Sequence, residues 1–432
     1  MYNLATRPEP CLQRQVFVCL VIVALAIACA PSANAQNFQV IYNFTGGLDG
    51  ALPPNGLSMD SSGTFYGTNT EGGRQGGYCP RGGCGTVFKM VHNQSGWVVT
   101  PLYNFLGGHD GLFPPTRVIP SQDGRLYGTT QYGGGGPCQH HDGNGCGTVF
   151  ELSPPAPLCR NSYCFRAETI LYRFQGGVDG AYPDGELIFD QVGNLYGTAS
   201  GGGNHACGGG CGLVYKLSHS NGTWTQSVLY TFAGGEDGGY PQAHVTFDGF
   251  GNLYGTTMRG GSDDCGTVFE IMPSQSGWTK KTLYEFSCGD DGRYPVIGVT
   301  FDEVGNLYSA TWDGGRNGGG TVFKLAPSGD NWIFTLVYSF SGTGVSGPGG
   351  DMVFRNGNLY GTTSGDGVNE FGNVFRLSPS GNDWTYTSLY DFRGGNDGAA
   401  PWSTLIFDSD GNMYGTTLNG ELHFGNVFEI TP

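Results

Sequence analysis

Charge is scarce in this 432-residue sequence: Asp, Glu, Lys and Arg together make up 13% of it. Disordered chains show the reverse balance, with many charges and few aromatics. Aromatics here also reach 13%, so a packed fold is expected. Basic residues are scarcer still, 20 against 36 acidic ones. The formal charge of −16 repels a phosphate backbone and argues against nucleic-acid binding. After the first thirty residues no apolar run approaches membrane length, so no membrane span is expected in the mature chain. No segment sustains a helical period with capping residues. Gly-x-Ser-x-Gly, His-Glu-x-x-His and phosphate-loop signatures are missing, and so are the Cys-x2-Cys knuckles of structural zinc sites.

Glycine, by contrast, is abundant: 79 residues, well above the usual share of roughly 7%. It does not recur every third position, which excludes collagen. Glycine and aromatics with little charge fit many short strands joined by tight turns. The N-terminus has the layout of a secretion signal. Arg7 and Arg14 precede an apolar run, Val16 to Ala30, and Ala33-Asn34-Ala35 offers a cleavage site. The alternative is a lipoprotein box ending at Cys29, disfavoured because Ala26 stands where Leu is preferred. A secreted or periplasmic protein is expected.

Three of the 13 cysteines lie in that leader. The other ten fall into local pairs: Cys79 with Cys84, Cys138 with Cys146, Cys159 with Cys164, Cys207 with Cys211 and Cys265 with Cys288. An even count after a secretion signal predicts disulfides. A zinc site using His140 and His141 beside Cys138 and Cys146 is the weaker alternative.

Three short blocks each occur seven times, at intervals of 52 to 69 residues. The first is Tyr-x-Phe, at Tyr42, Tyr103, Tyr172, Tyr230, Tyr284, Tyr338 and Tyr390. The second is Leu-Tyr-Gly-Thr-Thr, centred on Tyr66, Tyr127, Tyr196, Tyr254, Tyr308, Tyr360 and Tyr414. The third is Gly-Thr-Val-Phe, ending at Phe88, Phe150, Tyr215, Phe269, Phe323, Phe375 and Phe428. A Phe-Asp segment lies between the first two, as at Phe247-Asp248. Each block reads as a strand bounded by Gly, Asn, Asp or Pro. A unit therefore holds four strands, near residue 250 roughly 244–248, 253–257, 266–271 and 279–286. Glycine inside the second strand, as at Gly255, Gly361 and Gly415, is expected where a neighbouring sheet approaches closely.

Four-stranded units repeated seven times predict an all-β, seven-bladed β-propeller. The chain after the leader opens on a lone fourth strand, Phe38 to Phe44, and ends just after a third strand at Phe428-Glu429-Ile430. Pairing the two would complete the last blade and remove two free edges. The expected organisation is a leader over 1–35 and one propeller domain over 36–432.

The run Gly320-Thr321-Val322-Phe323-Lys324-Leu325, Leu359-Tyr360-Gly361-Thr362-Thr363 and Leu389-Tyr390-Asp391-Phe392 resembles the Gloeo/Verruco tandem repeat of bacterial choice-of-anchor secreted proteins. The resemblance covers about residues 38 to 432. It implies export and a repetitive β-structure, and it brings no catalytic residues.

Asp49, Asp110, Asp179, Asp237 and Asp397 recur in a Gly-Gly-x-Asp-Gly motif, with Asp291 in a variant. Asp before Gly is first of all a turn residue. A Ca²⁺ site is the alternative, weakened by the lack of dense Asp-x-Asp spacing; no cofactor is expected. The long loops between second and third strands carry Trp312, Asp313, His140, His141, Asp142, Asp263 and Asp264, the residues best suited to a ligand face. Trp97, Trp224, Trp278, Trp332 and Trp384 recur in register and are expected to pack. Two functions follow. One is a monomeric, non-catalytic binding or scaffold module for an extracellular glycan or protein. The other is a carbohydrate-active hydrolase or lyase, which would need two or three repeat-breaking carboxylates converging near the axis.

Overall fold

A computed structural model of the chain describes residues 36–139, 144–154, 166–342 and 347–432. Phe38–Thr431 forms one compact unit. It holds seven four-stranded antiparallel sheets, the blades of a β-propeller. The fourth blade runs Thr246–Phe247, Leu253–Thr257, Thr267–Ser274 and Gly277–Glu285 from inside to outside. Apart from a single 3₁₀ turn at Gly235–Asp237, no helix occurs among the described residues. The inner strand is shorter than the sequence suggested. Asp248 ends it by accepting the amides of Phe250 and Asn252 at 2.8 and 2.9 Å. On the other side, residues 241–245 leave the sheet for the axis.

The recurring blocks are now accounted for atom by atom. The Phe of each Tyr-x-Phe block packs edge to face on the third-strand aromatic of the next blade: Phe105 on Phe150, Phe232 on Phe269, Phe286 on Phe323, each with ring centroids 5.1–5.2 Å apart. Such pairs contribute roughly 0.5–1.5 kcal/mol beyond the area they bury. The Tyr of the same block donates to the Asp seven residues on, as in Tyr230 to Asp237 at 2.7 Å. The other Asp237 oxygen takes the Ala233 amide. All six aspartates of the Gly-Gly-x-Asp-Gly set make this tie.

Leu-Tyr-Gly-Thr-Thr is equally determined. Its first Thr crosses to the next blade, as when Thr198 donates to the Ala243 carbonyl at 2.8 Å. Its second Thr bonds the opening residue of its own third strand, as Thr257 does Thr267 at 2.8 Å. The glycine has a different role from the one expected. A Cβ on Gly255 would lie 2.7 Å from Cζ of Phe269, its cross-strand partner in the same blade. The space is filled by the blade's own aromatic ring, which also packs on Phe232 of the preceding blade. The recurring Trp residues also bridge blades: Trp224 lies against Tyr127, Trp332 against Tyr254 and Trp384 against Tyr308.

The ring is closed by Asn37–Asn43, which lies beside Asn426–Thr431 as the fourth strand of the seventh blade. The Phe44 amide continues the ladder to the Gly425 carbonyl at 3.1 Å. Four disulfides are formed among the described residues: Cys79–Cys84, Cys138–Cys146, Cys207–Cys211 and Cys265–Cys288. Cys159 lies outside the described residues, and so does its expected partner, Cys164.

At the hairpin between first and second strands, the Phe-Asp carboxylate gathers four donors. Asp190 accepts the amides of Val192 and Asn194, the Asn194 side chain and the Tyr196 hydroxyl. Burial raises its pKa, but these donors outweigh it, so the carboxyl is held below its ordinary range. Asp60, Asp302 and Asp408 behave alike. A lowered native pKa contributes stability above the unfolded value of about 4, and that stability is lost as pH falls through the native value. The melting temperature should therefore fall steeply below about pH 4. The Asp190→Ala/Asp302→Ala double variant should melt lower at pH 7 and show a shallower acid limb in a thermal-melt series; an unchanged limb would refute the assignment.

Candidate functional site

On one face of the propeller, each loop that enters a blade pairs with the loop leaving that blade's second strand. The bridges Ala51/Glu71, Ala181/Gly201, Gly239/Arg259, Arg293/Asp313 and Ala399/Asn419 mark the pairing. A proline follows at the same point in every blade: Pro53, Pro114, Pro183, Pro241, Pro295, Pro348 and Pro401. It sits against the glycine that opens the preceding third strand. A Cβ on Gly85 would meet Pro114 Cδ at 2.6 Å, and one on Gly266 would meet Pro295 Cδ at 2.5 Å. With its φ fixed, this proline sets where the chain turns toward the axis.

The first and third residues after that proline form two rings around the axis. The first ring is Pro54, Pro115, Asp184, Gln242, Val296, Gly349 and Trp402; the third-position ring is Gly56, Arg117, Glu186, His244, Gly298, Asp351 and Thr404. Neither ring repeats, although the residues on both sides do. The whole first ring, with Glu186, His244 and Asp351 of the other, lines a cavity of about 290 Å³, near the lower limit of small-ligand sites. Blades two to four supply its polar flank. Blades five to seven supply Val296, Gly349 and Trp402, the flank across the ring.

The charged groups are held by specific partners. Arg117 Nε lies 2.7 Å from Glu186 Oε2, and its Nη1 donates to the Leu57 carbonyl at 3.0 Å. Burial lowers the guanidinium pKa, but Glu186 and Asp351 more than restore it, so Arg117 stays charged. Asp351 reaches from blade six past blade five. It accepts the Gly298 amide at 2.7 Å and the Thr404 hydroxyl at 3.1 Å, and lies 3.5 Å from His244 Nδ1. Gly298 makes this possible, since a Cβ there would collide with the His244 ring. Asp184 accepts from Ser200 at 2.5 Å through Oδ2, while its buried Oδ1 makes no hydrogen bond. Burial pushes this carboxyl up to about 6, against the pull of Ser200 and Gln131.

Trp402 lies over Gly349, where no side chain obstructs its face. Trp312 packs on it, with centroids 5.3 Å apart. Trp312 thus backs Trp402 without itself lining the cavity, its indole Nε1 buried without a partner. Asp313 is buried and paired with Arg293 at 2.7 Å. Asp264 is exposed, bonds Arg259 at 2.9 Å and accepts the Gly260 amide. Asp263 is exposed beside it. His140, His141 and Asp142 lie outside the described residues. No group of three or more His, Cys, Asp or Glu side chains among the described residues is arranged to hold a metal.

Arg117, Asp184, Glu186, His244, Asp351 and Trp402 escaped the sequence reading. The signal was present as a fixed offset from a recurring proline at which the residue changes from copy to copy.

Comparison with solved structures finds similar chains at low identity. YCF48 from Cyanidioschyzon merolae is 13% identical, with 91% of this chain and 99% of that chain covered and a TM-score of 0.50. An ulvan lyase of the PL25 polysaccharide lyase family, solved with bound saccharide, is 11% identical, with 88% and 94% covered and a TM-score of 0.49. A protein of unknown function from Dyadobacter fermentans is 10% identical, with 92% and 98% covered and a TM-score of 0.45. At these identities the likeness concerns the fold alone. No curated protein matches the chain. The model of the Gloeobacter/Verrucomicrobia repeat matches residues 30–209, 136–353 and 302–432. With that match running through every blade, the chain belongs to the Gloeobacter/Verrucomicrobia repeat family.

Proposed function

We propose that this protein is an exported, monomeric, non-catalytic binding propeller that seats the end of a glycan in its axial pocket. The observation that carries the reading is the break in the repeat. Nearly every distinctive residue recurs for an architectural reason, and the exceptions gather in two rings around one cavity. One flank offers the indole of Trp402, the other offers Asp184, Glu186, Gln242 and His244, with Arg117 behind Glu186. A sugar presents one such pair of surfaces, apolar C–H faces and polar edges, and indole rings suit the former. Four disulfides and the absence, among the described residues, of any helix long and apolar enough to cross a membrane are consistent with export.

Glycan-array screening of the mature protein, with and without Ca²⁺, should identify saccharide ligands whose binding is independent of the metal. Trp402→Ala should weaken the best ligand about tenfold in calorimetry, the equivalent of about 1.4 kcal/mol, with little change in melting temperature. Undiminished binding by that variant would refute the site.

A second reading is cleavage of a glycan. It is favoured by the convergence of three repeat-breaking carboxylates, Asp184, Glu186 and Asp351, with Asp184 titrating close to neutrality. Against it, Glu186 and Asp351 are already engaged by Arg117, Gly298 and Thr404. Prolonged incubation with the array's ligands, followed by chromatography, separates the two. Shortened products that vanish with Asp184→Asn would favour the enzyme.

A further inference from the structure

Within the axial pocket every charge but one is provided for. Arg117 and Glu186 satisfy each other, and Asp351 has Gly298, Thr404 and His244 around it. Asp184 alone has a buried carboxylate oxygen that makes no hydrogen bond, although the Gln131 side chain lies close enough to pull on its charge. Such an atom costs stability, and it persists where something else supplies the missing proton. The fold does not require it. The other six blades place Pro54, Pro115, Gln242, Val296, Gly349 and Trp402 at that point.

Two further observations bear on what the missing donor is. Trp402 and Trp312 stand on the flank across the ring from blade three, and an indole face attracts cations. The chain as a whole carries a formal charge of −16, which draws cationic solutes toward it. A neutral hydroxyl would answer Asp184 with a hydrogen bond only. An ammonium group would answer with hydrogen bond and charge together.

Resting on the glycan-binding reading above, we infer that the pocket selects an amino sugar, whose ammonium nitrogen donates to Asp184 while the sugar ring lies on Trp402. Recognition then depends on the ionised form of Asp184. Around that carboxyl stand Tyr182 and Tyr215 of its own blade, both raised chiefly by burial and further by Asp184 itself. The neighbouring charged groups are Glu186 from the same blade, Arg117 from blade two, and His244 from blade four.

The test is calorimetry on the mature protein with a glucosamine trimer and with its fully N-acetylated counterpart, at pH 5 and pH 7. Burial places the Asp184 carboxyl at about 6, so it gains charge between those values. The free-amine trimer should bind several-fold tighter at pH 7 than at pH 5, the gain in ionised Asp184 exceeding the partial loss of the ammonium proton, and tighter than the acetylated trimer at pH 7. Asp184→Asn should remove both differences while keeping its folded melt. Equal binding of both trimers at pH 7, or a pH dependence that survives Asp184→Asn, overturns the inference. If neutral glycans bind through Trp402 and the amine brings no gain, this inference fails and the binding reading stands. If no saccharide binds at all, both fail.

Discussion

Deletion of residues 36–45 should lower the melting temperature more than any single substitution in the protein. The segment supplies the fourth strand of the seventh blade, so its loss uncovers the edge of Asn426–Thr431. It also removes two anchors between blades. Phe44 is fully buried and packs on Phe88 of the first blade at 5.1 Å. Phe38 stacks on Tyr390 of the sixth blade. Losing a buried phenylalanine such as Phe44 costs about 3–5 kcal/mol, before half-buried Phe38 and the lost ladder are counted. The newly exposed edge strand should also make the truncated protein aggregate. Differential scanning calorimetry with light scattering measures both effects; a melt within a few degrees of the parent would disprove closure by this strand.

Arg117→Ala should be the most damaging change in the two axial rings. Both partners of the Arg117–Glu186 pair are largely buried, with side-chain exposures of 16% and 11%. Removing one partner of a buried pair leaves an uncompensated charge and typically costs about 3–5 kcal/mol. The cost comes from the stranded Glu186 carboxylate rather than from the lost guanidinium. The double variant Arg117→Met/Glu186→Gln should therefore recover at least half of the loss in urea unfolding. A double variant as unstable as the single one would show that Arg117 matters through packing instead.

The fold was legible because its determinants are local and repeated. Tyr-x-Phe, Leu-Tyr-Gly-Thr-Thr and Gly-Thr-Val-Phe each state one strand, and seven copies leave little room for another architecture. The misreading of Gly255 has a simple origin. A strand glycine announces that something comes close, and only three-dimensional register shows that the visitor is Phe269 of the same blade. The axial site was illegible for a different reason. Its residues lie on seven segments spread from Pro54 to Thr404, one or two to a segment, and only ring closure gathers them. The loop carboxylates, by contrast, caught the eye because they cluster along the chain. Asp264 holds Arg259 within its own loop, and Asp313 holds Arg293 of the loop that enters the blade, a proximity no linear spacing reveals.

Each of the fourteen positions in the two axial rings follows its own blade's proline. Changes at positions that do not touch should therefore combine almost independently, as they do for residues without common partners. The coupled positions are Arg117 with Glu186, Asp351 with His244, Gly298 and Thr404, and Trp402 with Gly349. Seven is also an odd number, so no blade faces another squarely across the axis, and no dyad relates one wall of the cavity to its opposite. A chiral ligand turned about the axis meets a different surface at every step. The chassis thus behaves as a combinatorial selector: one interchangeable scaffold unit, copied around a circle, whose recognition can be rewritten one sector at a time while the barrel of blades stays as it is.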